Sequence, residues 1–292
     1  MRTHEVITAD GRTLAVREAG AAEGPVLLSQ HGSPGSGRLY RTEIEGADRL
    51  GARLLAYDRP GYGGSMPHPG RSIADAAADI AAILDALGAE RFATYGWSGG
   101  GPHALACAAL LEGRCVAAAT IAGAAPSDQP DLEFTAGMGE GNVQEFGTAR
   151  EGRERLAALL EEEAAGLRSA SADQLAEAMA PHLSAPDSAA LTGELAEYLH
   201  RMIQGALAPG IDGWLDDDLA FVEPWGFDVT AITTPVAVWQ GGDDLRVPGA
   251  HGRWLAAHVA GAESRPLPEE GHLTLFANRI GELQEWLAGH LR

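Results

Sequence analysis

A single stretch, Phe92 to Leu105, constrains the chain more than any other. A short apolar run, Phe92-Ala93-Thr94-Tyr95, ends in Gly96-Trp97-Ser98-Gly99-Gly100, and a small-residue run from Ala104 to Leu111 follows at once. This reads as strand, tight turn and helix, with a serine at the apex. So sharp a reversal puts its central residue in strained backbone, and small residues on either side let strand and helix pass closely. The serine hydroxyl then stands clear at the end of a sheet, beside a helix N-terminus whose free N–H groups favour developing negative charge.

The rest of the chain supplies a sheet for that turn to sit in. Glu5–Thr8 and Thr13–Val16 flank Asp10-Gly11 and predict an opening hairpin. Pro25–Gln30 is a nearly continuous apolar run, as expected of a strand covered on both faces, and it ends in His31-Gly32-Ser33-Pro34-Gly35. Helical spacing over Leu39–Leu50 precedes the strand Arg53–Asp58. Ser72 then caps an amphipathic helix running through Ile73, Ile80, Ile83 and Leu87 to Gly88. The Ser98 unit and a strand at Val116–Ile121 follow. This alternation predicts a mostly parallel sheet wound with helices on both faces.

The alternation breaks between Ser127 and Val229, where helical patterns at Glu151–Leu167, Ala172–Leu183 and Ser188–Leu207 appear without strands. A strand returns at Pro235–Gly241, followed by a helix at His251–Val259, an edge strand at Glu263–Leu267 and a last helix at Leu275–Leu291. The expectation is one core domain, residues 1–126 and 230–292, with a helical insertion at 127–229 over the sheet edge where ligands of open α/β sheets bind. Leu156, Leu159, Leu160, Leu175, Met179, Leu195, Leu199, Met202 and Ile203 give that insertion too many apolar positions for a free-standing solvated bundle.

Composition narrows the partners. The formal net charge is −20, and all 21 basic residues are arginine. Such acidity repels nucleic acid and anionic membrane, so neither is an expected partner. The expected ligand is a small-molecule substrate, and the expected state a monomer or homodimer. The first residues carry no apolar core of a signal peptide, and Cys107 and Cys115 read as buried free thiols, which together suit the cytoplasm. Without lysine there is no P-loop, and no spacing suggests a metal site; no cofactor is expected. Asp216-Asp217-Asp218 reads as a solvated helix end.

A serine hydroxyl is a weak nucleophile at neutral pH and needs a base, an acid to orient the base, and N–H donors for the oxyanion. Asp243 and Asp244 follow the Pro235–Gly241 strand, and His272 follows the last strand, so both loops leave the sheet at the end where Ser98 sits. Four separated motifs agree in order: His31-Gly32-Ser33-Pro34-Gly35; Asp58-Arg59-Pro60-Gly61-Tyr62-Gly63-Gly64-Ser65; the Ser98 turn; and Gly241-Gly242-Asp243-Asp244-Leu245-Arg246-Val247-Pro248 with Gly271-His272. In these the chain resembles the α/β-hydrolase superfamily, in the branch that carries a helical cap, over essentially its whole length outside the cap.

The resemblance implies an eight-stranded sheet, Ser98 as nucleophile, His272 as general base and then acid, and Asp244 as the orienting carboxylate. Asp243 is the alternative by one residue, and Asp128 would take the role in relatives whose acid follows strand six. It also implies backbone N–H donors at Ser33 and Gly99. Candidate pocket residues are His31, Trp97, Trp214 and Trp225, although His31 also reads as a loop tie and Trp97 as packing. His103 reads as a packed or capping histidine. A serine rather than an aspartate at the apex disfavours dehalogenase and epoxide-hydrolase chemistry and favours hydrolysis of small carboxylic esters. The alternatives are a proline iminopeptidase-like aminopeptidase, a lactonase or a carbon–carbon bond hydrolase, and, outside enzymes, a binding protein with a relic triad.

Overall fold

The computed structural model describes residues 1–292. Its eight strands are β1 (Arg2–Ile7), β2 (Thr13–Gly20), β3 (Val26–Gln30), β4 (Arg53–Tyr57), β5 (Phe92–Trp97), β6 (Cys115–Ile121), β7 (Val236–Gly241) and β8 (Glu263–Leu267). They form one sheet in the order β1-β2-β4-β3-β5-β6-β7-β8. β2 runs antiparallel to both β1 and β4, and all other pairs are parallel. The expected mostly parallel, eight-stranded α/β architecture is therefore present.

β3, β5 and β7 are buried at every residue, which is why they read as unbroken apolar runs. Helices α1 (Arg41–Leu50), α2 (Ala76–Ala86) and α3 (Gly100–Leu110) connect the first strands. Between β6 and β7 stand six helices: α4 (Glu140–Glu151), α5 (Arg153–Ser169), α6 (Ala172–Met179), α7 (Ala185–Ala190), α8 (Gly193–Leu207) and α9 (Asp212–Val222). Helices α10 (Gly249–His258) and α11 (His272–His290) complete the chain. The periodicity missed α4 and α9: the first carries few apolar residues, and the second interrupts its apolar positions with three aspartates.

The inserted helices share the sheet's apolar core. Leu195, Leu199, Met202 and Ile203 of α8 are buried in one continuous cluster with Tyr95 and Trp97 of β5 and Phe276 of α11. Burying side chains of this size contributes about 1.5–3 kcal/mol each. An aromatic stack reinforces the join, with Tyr198 of α8 lying 4.7 Å from Tyr40 and 6.0 Å from Phe276, centroid to centroid. No helix is long and apolar enough to cross a membrane. Both cysteines are free and buried.

Candidate active site

β5 lies between β3 and β6 and delivers Ser98 at its end. Ser98 has φ = +55°, a left-handed backbone that non-glycine residues rarely adopt. Its N–H is held by Ile121 O at 2.9 Å, at the end of β6. A Cβ on Gly96 would lie 2.0 Å from Gly100 O, so strand and helix cross here only because the position is glycine. The turn thus stores strain at one residue and places its side chain at the N-terminus of α3.

The loop after β7 brings Asp244 to His272. Asp244 is buried, and its Oδ2 lies 2.8 Å from His272 Nδ1. Its Oδ1 accepts the N–H groups of Arg246 and Val247, both at 2.8 Å, so the carboxylate cannot swing away. With Nδ1–H donated to Asp244, the other ring nitrogen, Nε2, is left as the proton acceptor. Asp243 and Asp128 are exposed, and Asp128 bonds its neighbour Gln129 instead. Of the three acids weighed, Asp244 alone reaches the imidazole.

His272 is also the first residue of α11, and that helix start is fixed from an unexpected quarter. Asp187 of α7 is buried and accepts the N–H groups of His272, Leu273 and Thr274 at 2.7, 2.9 and 2.9 Å. A carboxylate at a helix N-terminus satisfies orphan donors and complements the helix dipole. From the other side the Trp97 indole N–H donates to His272 O at 3.2 Å. Ring and backbone of His272 are thus each held by a separate aspartate.

Ser98, His272, Gly32, Ser33, Gly99 and Trp97 line one cavity of about 240 Å³. The Ser98 hydroxyl and the His272 ring are not hydrogen-bonded to each other here; such contacts commonly tighten only when substrate binds. The Ser33 and Gly99 N–H groups have no acceptor within the protein. Met138, Leu199, Met202 and Phe221 supply apolar wall, and Trp214 lines the cavity as well. Glu145, Glu163 and Asp218 line the same cavity, with Arg246 as its one guanidinium. Burial and the neighbouring Glu145 hold the Asp218 carboxyl well above the usual carboxylate range. Desolvation and Glu145 likewise push Glu163 up to about 7. The Trp214 indole N–H donates to Glu145 at 2.6 Å.

Two candidate pocket residues lie elsewhere. His31 is buried beneath the cavity-lining loop, where its Nδ1 donates to Gly32 O at 2.7 Å and its Nε2 accepts the Arg59 N–H at 3.1 Å. Trp225 follows the end of α9 and packs on Phe227 at 5.8 Å, beside a separate surface depression. His103 donates to Gly99 O at 2.8 Å, and burial together with the charge of Arg59 lowers it to about 3, so it is a neutral helix residue.

The three aspartates of α9 are not solvated: Asp216, Asp217 and Asp218 are each at most 1% exposed. Helix α9 lies against the loop after β4, where Arg59 and Arg71 neutralise Asp217, while Arg153 pairs with Asp216 at 2.6 Å. A signal for this was present in the sequence. Three consecutive residues of a helix span roughly 200° of its circumference, so they cannot all face water beside Trp214 and Phe221. No group of three or more His, Cys, Asp or Glu side chains is arranged to hold a metal ion.

A family model described as the alpha/beta hydrolase fold matches residues 25–278. The chain belongs to this family. Among solved hydrolase-fold structures it is similar to a thermophilic esterase from Thermogutta terrifontis, at 23% identity and a TM-score of 0.72 over 100% of both chains. It is similar also to a bromoperoxidase from Bacillus anthracis, at 19% identity and a TM-score of 0.74 over 99% of both chains. At such identities the likeness is one of fold. Among curated relatives, a non-heme chloroperoxidase of Streptomyces lividans is 31% identical over 122 residues, which is 41% of this chain and 44% of that protein. Epoxide hydrolase A of Mycobacterium tuberculosis is 35% identical over 92 residues, 30% of this chain and 29% of that protein. The chain therefore matches less than half the length of these relatives.

Proposed function

We propose that the protein is a serine hydrolase of small carboxylic esters that works through an acyl-enzyme on Ser98. The observation that carries this reading is the conjunction at one cavity of a strained, outward serine and a histidine whose Nδ1 is held 2.8 Å from Asp244. His272 Nε2 takes the Ser98 proton as Oγ attacks the ester carbonyl. The Ser33 and Gly99 N–H groups receive the oxyanion, and Asp244 stabilises the imidazolium. As the tetrahedral intermediate collapses, His272 gives its proton to the departing alcohol. Water, deprotonated by the same nitrogen, then releases the acid.

Residues 127–229 act as a cap in this reading. They place Met138, Leu199, Met202 and Trp214 over the acyl site and restrict it to a small chamber. The epoxide-hydrolase relatives do not argue against ester cleavage here, because the reacting position of this chain is a serine.

The acidic wall favours a second reading, cleavage of esters or amides that carry a protonated amine. Three carboxyls and one guanidinium line the chamber, and an arriving ammonium would favour the ionised carboxylates. A panel of p-nitrophenyl esters from acetate to octanoate, run beside aminoacyl p-nitroanilides, separates the two readings. Turnover of short-chain esters that disappears in Ser98→Ala supports the first. A preference for aminoacyl substrates supports the second, and turnover unaffected by Ser98→Ala contradicts both.

A further inference from the structure

We propose that Asp217, in the inserted helix α9, is a positioning residue for the oxyanion site: it holds the Ser33 hydroxyl and so fixes where the Ser33 N–H points. The proposal rests on the reading of Ser98 as nucleophile and Ser33 as N–H donor.

Asp217 is fully buried, 0% exposed, yet it belongs to neither the reacting groups nor the cavity wall. It accepts from Arg59 Nη2 at 2.7 Å, Arg71 Nη2 at 2.6 Å, Tyr62 Oη at 2.9 Å and the Ser33 hydroxyl. Burial alone would raise its pKa, but the charges of Arg59 and Arg71 hold it well below the usual carboxylate range, so it stays ionised. These donors come from two separate connections at the sheet's edge: Ser33 from the loop after β3, and Arg59, Tyr62 and Arg71 from the loop between β4 and α2. One carboxylate from the insertion is their common point.

Its effect on Ser33 is specific. Ser33 takes part in no backbone–backbone hydrogen bond, so its side chain carries its orientation. A hydroxyl has one proton to give, and this one goes to Asp217, while Arg59 Nη2 donates to the same oxygen at 2.9 Å. Arg59 also binds Gly32 O at 3.2 Å, holding the residue before the donor. The tethered side chain also lies against Gly99, where a Cβ would come 2.5 Å from Ser33 Oγ. Both residues line the same cavity, and neither N–H has an acceptor within the protein. Donor placement of this kind governs the rate of acyl transfer more than substrate binding, since the oxyanion exists only at and near the transition state.

The test uses the full chain and its best p-nitrophenyl ester. Ser33→Ala keeps the N–H and removes the tether; the expected result is a fall in kcat of about tenfold with KM within about twofold, and an unchanged circular dichroism spectrum. Asp217→Asn, which leaves two buried guanidiniums underpaired, is made in both wild-type and Ser33→Ala backgrounds. If Asp217 acts through Ser33, its cost in kcat is smaller when the hydroxyl is already gone. A Ser33→Ala enzyme with wild-type kcat overturns the proposal, and so does an equal kcat cost of Asp217→Asn in the two backgrounds. Should Asp217→Asn fail to fold, the kcat and KM of Ser33→Ala still decide. Ser98→Ala is the control: activity surviving there brings down the underlying reading and this proposal with it. Loss of activity in Ser98→Ala beside a normal Ser33→Ala brings down the tether alone.

Discussion

The sheet and the helices inserted between β6 and β7 contribute to the site in different ways. Ser98, Asp244, His272, Ser33 and Gly99, the residues proposed to carry the chemistry, all lie on loops or helix starts that leave strand ends. The insertion supplies groups that hold those residues from outside. Asp187 caps the helix that begins with His272, and Asp217 accepts the hydroxyl of Ser33. It also supplies most of the chamber's walls, apolar and acidic alike. Chemistry placed on strand ends is fixed in order along the chain, whereas the supports can arrive from any segment that packs over it. An inserted helical segment can thus be part of a site's framework as well as its cover.

The largest expected effect lies on the sheet side. Asp244→Asn removes the carboxylate that orients His272 and stabilises its imidazolium, and is expected to lower kcat by about 10³ to 10⁴. Asp243→Asn, one residue away and exposed, should leave kcat within about twofold. Equal losses in the two variants, measured with one ester under one set of conditions, would mean that the geometry at this loop does not describe the working enzyme.

On the insertion side the expected effects are smaller. Asp187→Ala strips three buried N–H groups at the start of α11 of their acceptor. It should destabilise the fold by about 2 kcal/mol in urea denaturation and reduce kcat, because the His272 backbone loses its anchor. A loss of stability with unchanged kcat would confine Asp187 to structure and weaken the comparison.

The smallest effect concerns pH. Glu163 has its carboxyl raised from 4.5 to about 7 by desolvation and Glu145, against the opposing charge of Arg246. A carboxyl whose folded-state pKa is raised favours the fold while protonated. That contribution is complete below about 4.5 and is lost as pH climbs to about 7. Glu163→Gln should therefore raise Tm relative to wild type at pH 8 and not at pH 4.5. A Tm difference that does not change with pH would show that this carboxyl does not titrate across that window.

The residues proposed to react, which the structure brings to one cavity, stood out in the sequence because such chemistry demands unusual local patterns. A serine between glycines at a strand–helix junction, and a histidine after the last strand, stand out from any background. The strands were legible for a related reason: β3 and β8 lie within a residue of their expected limits, bounded by Gly and Pro signals. The supports were not legible. Asp187 and Asp217 sit in segments rich in Ala, Asp and Glu, where a carboxylate reads as solvated surface, and their partners lie 85 to 184 residues away. Nothing local distinguishes Asp217 from Asp216 or Asp218. Trp225 lies outside the cavity that residue type suggested for it, and so does His31, which instead has the loop-tying hydrogen bonds that were its other reading.

Acylation of Ser98 is open to covalent capture. The full chain is treated with a fluorophosphonate, digested, and its peptides weighed. One phosphonyl adduct is expected, on the peptide carrying Ser98, formed at the rate at which ester hydrolysis is lost and absent from Ser98→Ala. An unlabelled protein that continues to hydrolyse esters, or an adduct on another residue that tracks the loss of activity, would contradict it.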